Sequence, residues 1–218
     1  MELRPLYNSG MQKFESHERV VRLFEDHNGY MKTGQLRGLV EDSQVKELEA
    51  EGIIVKLRHG LYRLADIEGF DDERIPLPFI DACRSIPVGI ICLTSAAYYH
   101  GLIARPPGVT EVAVPHNIRV PRSLAITVDI LYFRDRFYST GAMKVETGMG
   151  DIGFYDREKT VCDLFRYRKK VGEELALGAL KNYVAQPDAD FGKLLDVAAK
   201  CRVKLILQPY LKALVWAL

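Results

Sequence analysis

The stretch IIVKLRHGLYRLA, Ile53–Ala65, decides how the first third of this chain folds. It reads as two short runs rich in aliphatic residues, pinched at His59-Gly60, a pair suited to the tight turn of a β-hairpin. Lys56, Arg58 and Arg63 are spread along it. Immediately upstream, Gly52 closes a helical run, QVKELEAEG, that starts at the Asp42-Ser43 break and turns Val45 and Leu48 inward. Before that, Thr33 stands where it would cap a short helix through Gln35, Leu36, Leu39 and Val40. A first helix begins near Ser16, carries an apolar stripe at Val20, Val21, Leu23 and Phe24, and stops at Asn28-Gly29. Helix, helix, turn, helix and two-stranded wing is the order of a winged helix-turn-helix.

With Val45 and Leu48 facing the core, a helical advance of about 100° per residue turns Ser43, Lys46, Glu47 and Ala50 outward. Such a face suits a major groove, where Lys46 can donate to guanine and Glu47 can accept from cytosine. Glu47 and the nearby Glu51 repel phosphate, and the wing compensates. Lys56, Arg58 and Arg63 can each neutralise one phosphate, and His59 sits at the tip. The predicted DNA contacts are therefore Thr33, Ser43, Gln44, Lys46, Glu47, Lys56, Arg58, His59 and Arg63. No metal or cofactor is called for.

The 218 residues, 48% hydrophobic and 27% charged, suffice for one large domain or two modest ones, each with a core. The start, MELRPLYNSGMQKF, has no apolar run behind its charges, and the longest apolar stretches, VGIICL and ALVWAL, are too short to cross a bilayer. A cytoplasmic protein without a membrane partner is the expectation. Cys83, Cys92, Cys162 and Cys201 stand apart with no CxxC, which points to buried thiols and away from a disulfide framework or a zinc site. The formal net charge is +1, and residues 1–66 carry 10 Lys and Arg against 11 Asp and Glu. That excludes a protein that coats nucleic acid through a global field; any DNA contact has to come from local patches.

From Asp66 the composition shifts. The acidic, proline-ended ADIEGFDDERIPLP reads as a linker, which divides the chain into a winged helix-turn-helix at 1–66, a linker at 67–78 and a second domain at 79–218. In the second domain VGIICL, EVAVP, ITVDILYF, MKVET and IGFYD read as strands, and from Asp156 the pattern is helical to the end. The fold class is α+β, with a C-terminal helical part.

Three constellations in this domain look like chemistry. Ser95 and His100 in TSAAYYHGL suggest a nucleophile and base, but no GxSxG elbow or orienting carboxylate accompanies them. Asp151, Asp156, Glu158 and Lys159 in GDIGFYDREK suggest a magnesium-dependent nuclease. Glu158 and Lys159 are adjacent, however, which favours a helix start with Asp156 as N-cap. The run RYRKK, with Arg166, Arg168, Lys169 and Lys170, closes a helix. Together with Arg119, Arg122, Arg134 and Arg136 it marks a second surface for DNA or an acidic partner.

The wing RHGLYRL, the blocks IICLTSAAYYHGL and EVAVP, and EKTVCDLFRYRKKVGEELALGALKNYV follow one another in an order that resembles the AbiEi family, the antitoxin of type IV toxin-antitoxin and abortive-infection (phage defence) systems. The resemblance runs from about Val20 to Val184. It implies an N-terminal winged helix that represses its own operon by binding inverted repeats in double-stranded DNA, with operator contact on Ser43–Glu51 and the wing. It further implies a second domain, after about Pro76, needed to oppose a nucleotidyltransferase-like toxin encoded alongside, and a protein that is not an enzyme. Two monomers on two repeats would suffice, so no homodimer is required. The alternatives from the residues themselves are the metal-dependent nuclease and a protein-binding winged helix without DNA binding.

Overall fold

The computed structural model describes residues 16–67 and 73–216. The chain is α+β and divides into two compact units. Residues 16–67, joined by residues 121–125 and 148–150, form unit 1, and the remaining described residues form unit 2. The first unit is therefore not one continuous segment ending at residue 66. Residues 68–72 of the expected linker lie outside the described residues. Its distal part is already helix, because α4 opens at Leu77 with Pro78 in its first turn. Among the described residues, no helix is long and apolar enough to cross a membrane.

Unit 1 runs α1 (residues 16–25), β1 (Tyr30–Lys32), α2 (Thr33–Leu36), α3 (Asp42–Ala50), β2 (Ile54–Arg58) and β3 (Leu61–Leu64). This is a winged helix-turn-helix with an antiparallel sheet in the order β1-β3-β2. Val20 and Phe24 from α1, Met31, Leu36, Val40, Leu48, Ile54 and Leu64 make its core. Leu48, fully buried, sets the rotation of α3, and such burial contributes roughly 1.5–3 kcal/mol. Gly52, at φ 73°, ends α3 while Ile53 N–H returns to the Leu48 carbonyl at 2.9 Å, the bond pattern for which glycine is preferred. Gly60, at φ 76°, turns the hairpin, and its carbonyl accepts from Thr33 N–H at 3.1 Å. The wing tip is thereby tied to the start of α2. Thr33 is the first residue of that helix and not its cap. The cap position belongs to Lys32, whose N–H donates to Gln35 Oε1 at 2.9 Å.

Unit 2 holds a five-stranded mixed sheet in the order β6-β5-β4-β8-β7. Its strands are β4 (Ile90–Ile91), β5 (Thr110–Pro115), β6 (Val128–Phe133), β7 (Ala142–Val145) and β8 (Ile152–Tyr155). The β4–β8 and β5–β6 pairs are parallel; β4–β5 and β7–β8 are antiparallel. Besides α4 (Leu77–Ser85), the helices are α5 (Leu93–Tyr99), α6 (Asp135–Ser139), α7 (Arg157–Arg166), α8 (Arg168–Val171), α9 (Glu173–Val184), α10 (Phe191–Lys200) and α11 (Lys204–Val215). Glu111 on β5 caps α5: its carboxylate accepts from Thr94 N–H at 2.6 Å and from the Thr94 hydroxyl. Thr94 is thus a donor to the cap.

Helix α7 is the centre of this unit. Asp156 caps it by accepting from Lys159 N–H at 2.8 Å. Val161, Cys162, Leu164 and Phe165 lie in the core with Ala176, Leu180 and Tyr183 of α9 and Leu194 of α10. Lys159 and Asp163, one turn apart and almost wholly buried, form an ion pair. The ammonium also lies 4.7 Å from the Phe133 ring centroid and 4.1 Å from that of Tyr155, a cation–π enclosure that replaces part of the lost hydration. Gly141, at φ 69°, passes so close that a β-carbon there would stand 2.5 Å from Lys159 Cβ. At the head of α7, buried Glu158 accepts from Lys193 at 2.6 Å and from the Tyr183 hydroxyl at 2.9 Å. Burial raises its pKa, but the Lys193 bond, a backbone N–H and the Tyr183 bond outweigh that and leave the carboxyl below its ordinary value.

Two expectations follow from α7. Lys159→Met strands a buried carboxylate and should cost about 3–5 kcal/mol in urea unfolding. Lys159→Met/Asp163→Leu should recover most of that loss; a double variant no more stable than the single one contradicts the pairing. Glu158, with its folded pKa held below the ordinary 4.5, stabilises the fold above the unfolded value and loses that contribution as pH falls through the folded one. Glu158→Gln should therefore be less stable at pH 7, with the gap to the parent protein narrowing below about pH 4.5 in a thermal-melt series. A gap independent of pH would show that Glu158 acts without its charge.

Candidate nucleic-acid interface

Helix α3 reaches the surface along Ser43, Lys46, Glu47 and Ala50, all exposed. The two flanks of this stripe have different neighbours. On the α1 side, Glu47 and Glu51 gather with His17 so that one ligand atom from each lies within 4.8 Å of the others, and His17 Nδ1 is 3.4 Å from Glu51 Oε2. The trio combines two helices, and no spacing in the sequence announces it. On the α2 side, Lys46 shares a groove with Thr33, Arg37 and Tyr62. Asp42 lines the same groove, so Arg37 and Lys46 stand beside the hairpin face with a carboxylate among them, and α3 carries acids on both flanks. Arg37 was missed in the sequence because it follows a four-residue helix and fits no apolar or basic pattern.

Several predicted contacts are engaged inside unit 1. Gln44 donates through Nε2 to Ser16 Oγ at 2.9 Å and accepts from Glu41 N–H at 3.0 Å; it pins the start of α3 and is not free to read bases. Arg63 donates through Nη1 to the carbonyls of Leu64 at 2.6 Å and Ala65 at 3.0 Å, closing the base of the hairpin. Arg58 donates to the His59 carbonyl at 3.1 Å. The strand that carries it is not an open edge, because Ala125 N–H donates to the Leu57 carbonyl at 2.8 Å and Leu124 bridges to Arg58. Covering an edge strand in this way blocks stray pairing, and here it draws the Arg58 side chain partly inside. Lys56 lies 6.0 Å from the ring centroid of Tyr62. His59 remains exposed at the tip, and Ser43 Oγ donates to Glu41 at 3.3 Å.

The second basic set does not form one surface. Arg122 is exposed and belongs to the 121–125 segment of unit 1, two residues from the Leu124 bridge to the wing; Arg119 is exposed in unit 2. Arg134, Arg166 and Arg168 line one cleft of unit 2, which also includes Arg202. Arg136 is exposed on α6, and Lys169 is exposed on α8. Lys170 is paired with Asp129, a bond that raises the pKa of the lysine.

The catalytic alternatives find their residues spent on structure. Ser95 is fully buried and its Oγ accepts from Glu111 N–H at 2.9 Å. His100 instead donates from Nε2 to the Tyr155 carbonyl at 2.7 Å, and burial lowers its pKa. In the nuclease constellation Asp156 caps α7 and meets Lys193 at 3.1 Å, Lys159 points into the core, and Asp151 pairs at 3.9 Å with Lys144. All four cysteines are free and buried, and burial pushes the Cys83 thiol up to about 12.

No protein-family model matches this chain, and no curated protein matches it. Among solved structures it is similar to the crystal structure of the RV2827C protein from Mycobacterium tuberculosis, with a TM-score of 0.56 and 17% sequence identity over 91% of this chain and 81% of that one. At that identity the likeness speaks for the fold alone.

Proposed function

We propose that this chain is a non-enzymatic, cytoplasmic DNA-binding autorepressor and antitoxin of a type IV toxin-antitoxin operon, opposing a nucleotidyltransferase-like toxin. The observation that carries the DNA part is the exposed surface of α3 beside the hairpin, where Arg37 and Lys46 line one groove together with Asp42. A helix that exposes Ser43 and Lys46 beside an antiparallel hairpin suits a major groove edged by phosphates. In this reading Arg37, Lys46, His59 and Arg122 meet the backbone, Ser43 reaches a base edge, and Arg58 and Arg63 keep the wing in shape. The antitoxin part rests on the resemblance of the second domain to the AbiEi family.

The test is a footprint and titration on the DNA upstream of the gene, at about 0.15 M salt with competitor DNA, because salt governs any such affinity. Protection over a repeated sequence is expected, and Arg37→Ala/Lys46→Ala should reduce the slope of log K against log salt by about two. An unchanged slope removes this flank from the interface. Absence of protection turns the winged helix into a protein-binding surface. For the antitoxin part, expression of the neighbouring gene should arrest growth, and co-expression of this chain should relieve the arrest.

A further inference from the structure

The topology of unit 2 brings four arginines from distant parts of the sequence to one cleft. Arg134 enters from the head of α6, Arg166 and Arg168 from the turn between α7 and α8, and Arg202 from the turn between α10 and α11, around a cavity of about 570 Å³. No carboxylate lines it; Glu173 reaches only the Nε of Arg168, at 4.0 Å. Guanidinium groups stay charged throughout the accessible pH range. Four of them around a single concavity give it a positive potential that favours a multivalent anion.

Two of the four are held in place. Arg166 donates to the Cys201 carbonyl at 3.2 Å and lies over the Phe137 ring with its Cζ 4.0 Å from the centroid. Arg168 donates to the Phe165 carbonyl at 3.0 Å. Arg134 and Arg202 are exposed, and among the described residues no hydrogen bond or ion pair engages their side chains.

The backbone at Arg202 is a second, independent sign. It follows α10 at φ 58°, while Arg202 N–H returns to the Ala199 carbonyl at 3.1 Å and Val203 N–H to that of Ala198 at 2.9 Å. This helix ending is where glycine is usual, since a side chain strains the left-handed conformation. An arginine here is unfavourable for the turn, and its guanidinium lines the cleft.

We propose that this cleft binds a nucleoside polyphosphate. Arg134 and Arg202 take the phosphates, and the base lies between the Tyr132 ring, 53% exposed on the cleft wall, and the plane of Arg166 that Phe137 backs. The volume falls in the range of small-molecule sites, on the order of 300–1,000 Å³. Flat aromatic and guanidinium surfaces beside the cations select a ligand with a planar ring and several phosphates over a purely acidic peptide. The proposal rests on unit 2 alone and stands or falls apart from operator binding.

The test is isothermal titration calorimetry of the full chain with ATP, GTP and inorganic tripolyphosphate, near 0.15 M salt. One nucleotide should bind saturably, about tenfold or more tighter than tripolyphosphate, and Arg134→Gln/Arg202→Gln should weaken it by at least about tenfold. Arg202→Gly guards against a folding artefact: glycine suits that backbone, so its Tm should match or exceed that of the parent protein while the nucleotide still binds more weakly. The proposal is overturned by the absence of saturable heat with either nucleotide, or by affinity unchanged in both variants. Tripolyphosphate binding as tightly as the nucleotides removes the base from the site and overturns it as well. So does retention of a single-stranded oligonucleotide in this cleft where ATP and GTP fail.

Discussion

Lys159 and Asp163 carry opposite charges to a place water does not reach, and the need to keep them together shapes unit 2. Removing two ions from water costs several kcal/mol each, and their mutual attraction offsets this only when the geometry is close and the other faces are occupied. Here one helical turn supplies the closeness. Phe133 from β6 and Tyr155 from β8 supply faces for the ammonium, so two strands of the sheet are committed to the same lysine. Gly141 follows from the same demand, because the chain entering β7 runs against the lysine stem with no room for a β-carbon. Burial pushes the Asp163 carboxyl up, against the opposing pull of Lys159.

That arrangement was invisible in the sequence. A lysine and an aspartate four residues apart read as an ordinary pair on a helix surface, and only the packing of α5, α9 and α10 around α7 buries them. What was legible is what local chemistry decides: the apolar spacing of α3, Gly52 at its end, the His59-Gly60 turn, and Asp156 at the head of α7. Strand β1, of three residues, is too short to carry an alternating pattern, and β4, of two, is legible only within the longer apolar run VGIICL. The pairing of Ala125 and Leu124 with β2 joins residues more than sixty positions apart in the chain, beyond the reach of any local rule.

The candidate site divides in the same way. Ser43, Lys46 and Glu47 face outward as helical spacing requires, because one buried residue, Leu48, fixes the phase of the whole helix. The wing arginines have backbone partners that a reading of charge alone does not show. Arginine has five donors in a planar fork, and a hairpin base or tip offers carbonyls that a sheet ladder leaves unused. Arg58 and Arg63 take them. Arg37 was missed for the converse reason, since only the folded unit puts it beside Lys46.

A formal net charge of +1 therefore conceals a strongly uneven surface. The acids are placed where a structural need uses them: Glu111 at the start of α5, Asp156 and Glu158 at the start of α7, Asp190 at the start of α10, where it accepts from Lys193 N–H at 2.8 Å. Helix N-termini take up anionic charge, so each carboxylate spent there is removed from the pool that would neutralise arginines elsewhere. Some cations have structural partners too, as Arg58 and Arg63 do in the hairpin, but the turn after α10, a favourable location for a neutral glycine, holds Arg202. Local positive potential in the unit 2 cleft arises from where the acids are, as much as from where the arginines are, and a balanced composition is compatible with two separate anion-seeking surfaces.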